Sequence, residues 1–241
     1  MSSARIEVTA ASKNELAAVA ASRLIDVLAP ATASRDAHVS LTGGSMGSAV
    51  LEALTAHERL GDVAWSRVHF WYSDERFVAR HSDERNITPA RPLLASLRGA
   101  VVHEPWGTED GPLDEAAAAY AAELRESAPE GRGAPVFDVV FLGVGPDAHI
   151  ASLFPGREEI LRAEETVLPI RNSPKPPPER VTFTLPIING AERVWMVVAG
   201  ADKAEAVAKI RANAAPQDAP AAQARGSIET VLFLDHAAAG N

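Results

Sequence analysis

The sequence predicts an α/β fold, a mostly parallel Rossmann-like sheet with helices on both faces. Three observations carry that expectation. Short apolar or β-branched runs alternate with segments of helical period along the chain, the pattern of strand–helix–strand units. The strongest runs, FDVVFLG at 137–143 and VWMVVA at 194–199, are nearly continuous in apolar residues, as strands covered on both faces are. Polar or glycine-containing turns follow several of these runs, and open α/β sheets bind ligands at strand carboxyl ends.

Residues 6–9 read as a short strand. Ser12 and Glu15 form a capping box; Leu16, Val19, Ala20, Leu24, Val27 and Leu28 then keep helical spacing, and Pro30 is expected to end that helix. Residues 38–42 form a second strand, followed by a glycine turn and a helix over 48–55. VHFWY at 68–72 is a third strand whose exit carries Ser73-Asp74-Glu75-Arg76. Residues 79–89 are polar and end in Asn86-Ile87-Thr88-Pro89. Pro112 and Asp114 open an alanine-rich helix to about Glu126. Strands follow at 137–143, 166–170 and 180–185, the last two separated by the proline-rich segment 173–178. A strand at 194–199 leads into a helix over 202–213, and 230–235 is the last strand. The Ala/Pro-rich stretch 214–226 is expected to be a linker, and its part near 214–222 a surface loop inside the domain, so that residues 1–241 make one domain.

Apolar residues make up 46% of the 241, enough for a sizeable core. The formal net charge is −9, from 23 Lys+Arg against 32 Asp+Glu. That balance argues against broad nucleic-acid binding. An anionic small-molecule substrate would need the cations concentrated locally against the overall field. The absence of cysteine excludes disulfides, thiolate catalysis and thiolate metal sites. The N-terminal MSSARIEVTA lacks the apolar region of a signal peptide, and no apolar run is long enough to span a membrane. The expectation is a cytoplasmic protein without membrane or nucleic-acid partners, a monomer or weak homodimer.

Gly43-Gly44-Ser45-Met46-Gly47 is a literal G-x-S-x-G. It has three readings: a nucleophile elbow, a plain strand-to-helix turn, or an anion cradle of backbone N–H groups opening a helix. The elbow needs an oxyanion-hole loop after a third upstream strand, and only two strands fit before Ser45. Its acid and base could be several pairs, Asp138 with His149 among them. The other strand ends favour the cradle. Asp74-Glu75-Arg76, Gly145-Pro146-Asp147-Ala148-His149 and Gly200-Ala201-Asp202-Lys203 all follow strands, and a parallel sheet gathers such ends on one edge. The seven histidines are scattered, and no pair has metal-ligand spacing.

Residues 143–156, GVGPDAHIASLFPG, closely resemble the signature G-x-G-x-D-G-H-x-A-S-L-F-P-G of the 6-phosphogluconolactonase family. Asp74-Glu75-Arg76 with Asn86, Ser173-Pro174-Lys175-Pro176-Pro177 with Arg180 and Thr182, and Gly200 with Lys203 resemble further blocks of that family, in the expected order. Two departures stand out: Met46-Gly47 replaces Thr-Pro, and Ala148 replaces a glycine, although alanine tolerates positive φ poorly. The resemblance implies hydrolysis of 6-phospho-D-glucono-1,5-lactone without metal or organic cofactor. It implies His149 as general base, with Asp147 orienting the imidazole or the turn. It implies substrate or phosphate contacts from Gly43, Gly44, Ser45, Asp74, Arg76, Lys175, Arg180 and Lys203. Glucosamine-6-phosphate deaminases resemble the same layout, but their turn continues I-A-F-N-E-P. Here Ser152-Leu153-Phe154 stands where that glutamate would be needed.

Overall fold

The computed structural model describes residues 5–240. Its main sheet has seven strands in the order β1-β10-β9-β6-β2-β3-β5, every neighbouring pair parallel. These are β1 (Ile6–Ala10), β2 (Ala37–Leu41), β3 (Val68–Tyr72), β5 (Val101–Val102), β6 (Val139–Gly143), β9 (Arg193–Val198) and β10 (Glu229–Asp235). A second sheet is antiparallel, β4 (Asp74–Arg76), β8 (Arg180–Phe183) and β7 (Val167–Ile170) in that order. The strands expected at 166–170 and 180–185 are β7 and β8; β4, expected only as the polar exit of β3, and the separate sheet the three form are not visible in the sequence. Three- and four-residue strands carry too few side chains to show which sheet they join.

The helices are α1 (Lys13–Thr32), α2 (Gly44–Thr55), α3 (Arg91–Ser96), α4 (Leu113–Glu126), α5 (Leu185–Asn189), α6 (Ala204–Arg211) and α7 (His236–Ala239). Alternation along the central strands splits the core into two layers. Val139, Phe141, Trp195, Val197, Val231 and Phe233 pack with α1, α2 and α3. Val140, Leu142, Val194, Met196, Leu232 and Leu234 pack with α4, α5, α6, α7 and the second sheet. Both faces are covered, which is why these strands read as unbroken apolar runs.

Three expectations are corrected. Helix α1 runs through Pro30 to Thr32. A proline so near the C-terminus removes one ladder bond, to Asp26, and Thr32 Oγ1 donates to the Leu28 carbonyl (2.8 Å). Helix α2 begins at Gly44, not Ser48, so the glycine turn is the helix's own first turn. The stretch 214–226 is not a surface loop throughout: Ala219, Ala221, Ala222 and Ala224 are buried in the core. Alanine fills a small space without raising a hydropathy signal. The segment also supports the chain nearby, since Ala221 N–H donates to the Ala148 carbonyl (3.0 Å) and Gly156 N–H to that of Gln217 (2.8 Å).

The histidines are less scattered than their spacing suggests. His38 and His69 are register partners near the start of β2 and β3, and His69 Nδ1 lies 3.0 Å from His103 Nε2. Trp71 stacks on His103 at 3.6 Å and donates through Nε1 to His38 Nδ1 (3.2 Å). Burial, and then the neighbouring His69, push His38 down to about 4; Asp138, Asp36 and His103 also face it. Its folded pKa lies below the unfolded value, so the unfolded chain binds more protons between the two. The contribution is present above pH ~6.5 and lost as pH falls toward 4, on the order of 3 kcal/mol in all. About 2 kcal/mol of it is lost between pH 7.5 and pH 5, so melting followed at these two values is expected to show Tm falling by about 4–8 °C, and His38→Gln is expected to flatten the dependence. An equal slope in the variant would contradict this assignment.

Candidate active site

The chain crosses between β6 and β2: β2, β3 and β5 build outward on one side, and β6, β9, β10 and β1 on the other. A cavity of about 220 Å³ opens at the carboxyl ends of these strands, where a doubly wound sheet leaves a crevice. Thr42 ties the two halves there, its Oγ1 accepting from Gly143 N–H (2.9 Å). Gly43, Gly44 and Ser45 enter after β2, Gly143 at the end of β6 with Val144, Gly145, Pro146 and His149 after it, and Lys203 after β9. Asp74, Arg76, Asn86, Lys175 and Arg180 close the remaining side.

The Gly43 to Ser45 turn is shaped for close approach. Gly43 is extended, Gly44 has φ +77°, and no side chain caps α2. The first-turn N–H groups therefore have no intrahelical acceptor and no capping oxygen. A Cβ on Gly43 would overlap Asn86, and one on Gly47 would overlap the Thr42 carbonyl. Gly47 thus seats α2 directly against the end of β2, while Met46 is buried in the adjacent layer. That accounts for one departure from the family pattern.

The turn after β6 is tighter still. Gly145 N–H donates to the His149 carbonyl (3.0 Å), and Ala148 N–H to that of Gly145 (2.9 Å). Ala148 has φ +67°, the left-handed conformation that alanine adopts only at a cost. It is fully buried and held by the contact from Ala221. His149 Nδ1 lies 2.5 Å from Asp147 Oδ1, and its ring packs on Phe154 at 4.7 Å. Lys175 Nζ sits 3.3 Å from Asp147 Oδ1 and 3.2 Å from His149 Nδ1. Burial pushes the Asp147 carboxyl up, but hydrogen bonds and charge from His149 and Lys175 outweigh it and hold the group well below the usual carboxylate range. An ionised Asp147 accepts only, which makes Nδ1 the protonated ring nitrogen and leaves Nε2 as the basic one.

The profile of the family described as glucosamine-6-phosphate isomerases/6-phosphogluconolactonase matches residues 11–233. The chain belongs to this family. A 6-phosphogluconolactonase of Streptomyces coelicolor is 46% identical over 237 residues, 94% of this chain and 90% of that protein. One of Mycobacterium tuberculosis is 42% identical over 232 residues, 93% of each. The solved structure of 6-phosphogluconolactonase from Trypanosoma brucei has a TM-score of 0.86 at 26% identity, covering 99% of this chain and 98% of that one.

In this member of the glucosamine-6-phosphate isomerase/6-phosphogluconolactonase family, every residue to which the resemblance gives a catalytic, substrate or phosphate role lines the cavity except Asp147, which contacts His149 from outside that lining. Four cations, Arg76, Lys175, Arg180 and Lys203, line it together with one carboxylate, Asp74, so positive charge is gathered locally in a chain of net charge −9. Their freedom differs. Arg180 is 4% exposed, and its nitrogens donate to the carbonyls of Lys175, Pro176 and Pro177 (3.1, 3.1 and 3.2 Å). It also lies 3.7 Å from Asp74, so it clamps the proline-rich segment and thereby places Lys175. Burial pushes its guanidinium down, and Asp74 pushes it back up. Arg76 Nη1 donates to the Glu84 carbonyl (2.6 Å), and its other guanidinium nitrogens have no partner among the described residues. Lys203 Nζ is 3.3 Å from Asp202. Asp74 accepts from Ser152 Oγ (2.7 Å) and its carbonyl from Asn86 Nδ2 (2.9 Å).

Asn86 and Ser152 stand in the sequence motifs without a site role; their partner, Asp74, is distant in the chain, and spacing gives no sign of it. Asp138, a candidate acid for His149 in the elbow reading, accepts instead from Arg35 (2.5 Å) and His38 N–H (2.9 Å) at the other end of β6. Among the described residues no helix is long and apolar enough to cross a membrane. No group of three or more His, Asp or Glu among them is arranged to hold a metal ion.

Proposed function

We propose that this enzyme hydrolyses 6-phospho-D-glucono-1,5-lactone to 6-phospho-D-gluconate in the oxidative pentose phosphate pathway, by direct attack of water. The observation that carries the reading is the Asp147–His149 pair at the wall of a cavity whose other wall is an uncapped helix N-terminus ringed by cations. Names of relatives 46% and 42% identical over nearly the whole chain support the same substrate. The absence of the deaminase-type glutamate after Ala151 argues against ring-opening of an amino sugar.

The phosphate binds at Gly43, Gly44 and Ser45, where helix N–H groups and the serine hydroxyl donate, and Arg76 adds a planar cation. His149 Nε2 takes a proton from water as its oxygen adds to C1. The tetrahedral intermediate then expels the ring oxygen, which takes that proton back from the imidazolium. Lys175, next to Asp147 and His149, supplies positive charge on the side where the oxyanion forms. The purified protein is expected to accelerate acid release from the lactone and to leave glucosamine 6-phosphate unchanged; the reverse pattern would favour the deaminase reading. In this account Ser45→Ala raises KM about tenfold and changes kcat less, since one hydrogen bond to a charged group is lost. Loss of kcat with binding intact would favour Ser45 as nucleophile.

A further inference from the structure

Strand β4 presents Asp74 and Arg76 to the cavity and turns Glu75 the other way, as strand alternation requires. Glu75 is 1% exposed and touches no wall of the cavity. Its Oε1 accepts from the N–H groups of Arg76 and Asn86, both at 2.7 Å, and its Oε2 from Ile87 N–H at 3.0 Å. Residues 77–85 leave this point and return to it, so one carboxylate ties both ends of the excursion. Arg85, equally buried, lies 3.7 Å from Oε2, and its Nη2 lies 3.5 Å from Glu104 and donates to the Pro105 carbonyl at 2.5 Å. Burial pushes the Glu75 carboxyl above the usual carboxylate range, outweighing the downward pull of Arg85 and the three N–H groups. Three donors facing two oxygens call for the acceptor-only, ionised form. On the cavity side of the tied ends stand Arg76, whose Nε and Nη2 have no partner among the described residues, and Asn86, packed under Gly43 where a Cβ would overlap it.

We propose that Glu75 is the positioning residue of the phosphate subsite, setting Arg76 and Asn86 against the Gly43–Ser45 turn and so favouring a phosphorylated over an unphosphorylated lactone. The proposal rests on the reading of that turn and Arg76 as the phosphate site. Glu75→Asp keeps a charge for Arg85 but is too short to span the three N–H groups. Glu75→Gln keeps the length but replaces one acceptor oxygen by a donor.

Three readouts test it: KM and kcat for 6-phospho-D-glucono-1,5-lactone, the ratio of kcat/KM for that lactone to kcat/KM for D-glucono-1,5-lactone, and the Kd of inorganic phosphate by calorimetry. In Glu75→Asp, KM and the phosphate Kd are expected to rise, and the ratio to fall, each by about 10–100-fold, the range for disturbed hydrogen bonds to a charged group. The effect on kcat is expected to be smaller. In an Arg76→Ala background the same substitution is expected to cost clearly less than it does alone, because part of its effect acts through that guanidinium. Equal loss on both lactones, an unchanged phosphate Kd, or full additivity with Arg76→Ala would overturn the proposal. If Glu75→Gln does not fold, Glu75→Asp decides; if neither folds, the carboxylate is a structural group and the proposal fails. A wild-type protein inactive on both lactones would sink the lactonase reading, and the phosphate Kd would still report on Glu75.

Discussion

Replacing His149 by alanine is expected to lower kcat about 10²–10⁴-fold, the contribution of a positioned general base, with KM close to that of the unaltered enzyme. The split follows from where the groups sit. His149 comes from the turn after β6, whereas the groups proposed to hold the phosphate come from the start of α2 and from β4. Deleting the imidazole leaves that second set in place. It also frees Asp147 from the contact it makes with Nδ1, while Lys175 remains its partner. Steady-state kinetics on freshly prepared lactone check this, with inorganic phosphate as a competitive inhibitor to report on the subsite. A variant with near-normal kcat would remove His149 from the chemistry, and one with normal kcat and a greatly raised KM would make it a binding group.

Gly145→Ala is expected to reproduce much of that loss without touching either member of the pair. The added Cβ would overlap Nδ1 and Cε1 of His149 and Oδ1 of Asp147. The backbone on both sides is held by the hydrogen bonds from Gly145 to the His149 carbonyl and from Ala148 to the Gly145 carbonyl, so the side chains must yield. The imidazole is displaced and the Asp147 contact broken. A misplacement of about 1 Å costs on the order of 10²-fold, so kcat should fall by at least about that factor while phosphate inhibition persists. Because His149 is partly exposed to the cavity, the clash relaxes into open space and the expected loss of stability is small. Unchanged turnover in this variant would mean that the turn has slack the structure does not show.

Much of this was legible in the chain. Strands β6, β9 and β10 alternate large apolar side chains toward two cores and therefore read as continuous apolar runs. Capping by Ser12, whose Oγ accepts from Glu15 N–H (3.3 Å), is visible in four letters. The gathering of Gly43 to Ser45, His149 and Lys203 follows from parallel strands ending on one edge. Other features leave no local trace. Arg180 reads as one more cation for the substrate, but its donors go to carbonyls of residues 175–177, which only the fold brings near. The buried alanines of 219–224 have the composition of a loop, yet they form part of the wall that holds Ala148 in its unfavourable φ. Asn86 and Glu75 act through contacts to Gly43, Asp74 and Ile87 made by a chain excursion with no periodicity of its own. The pairing of His38, His69 and His103 across adjacent strands lies outside any sequence spacing.

The most direct test is to generate 6-phosphogluconolactone in situ and follow acid release with the unaltered protein and with His149→Ala side by side, each corrected for spontaneous hydrolysis. Strong acceleration by the first, reduced by at least about 10²-fold in the second, is the result this account predicts. Acid release by the unaltered protein at the spontaneous rate, or at the same rate in both proteins, would contradict it.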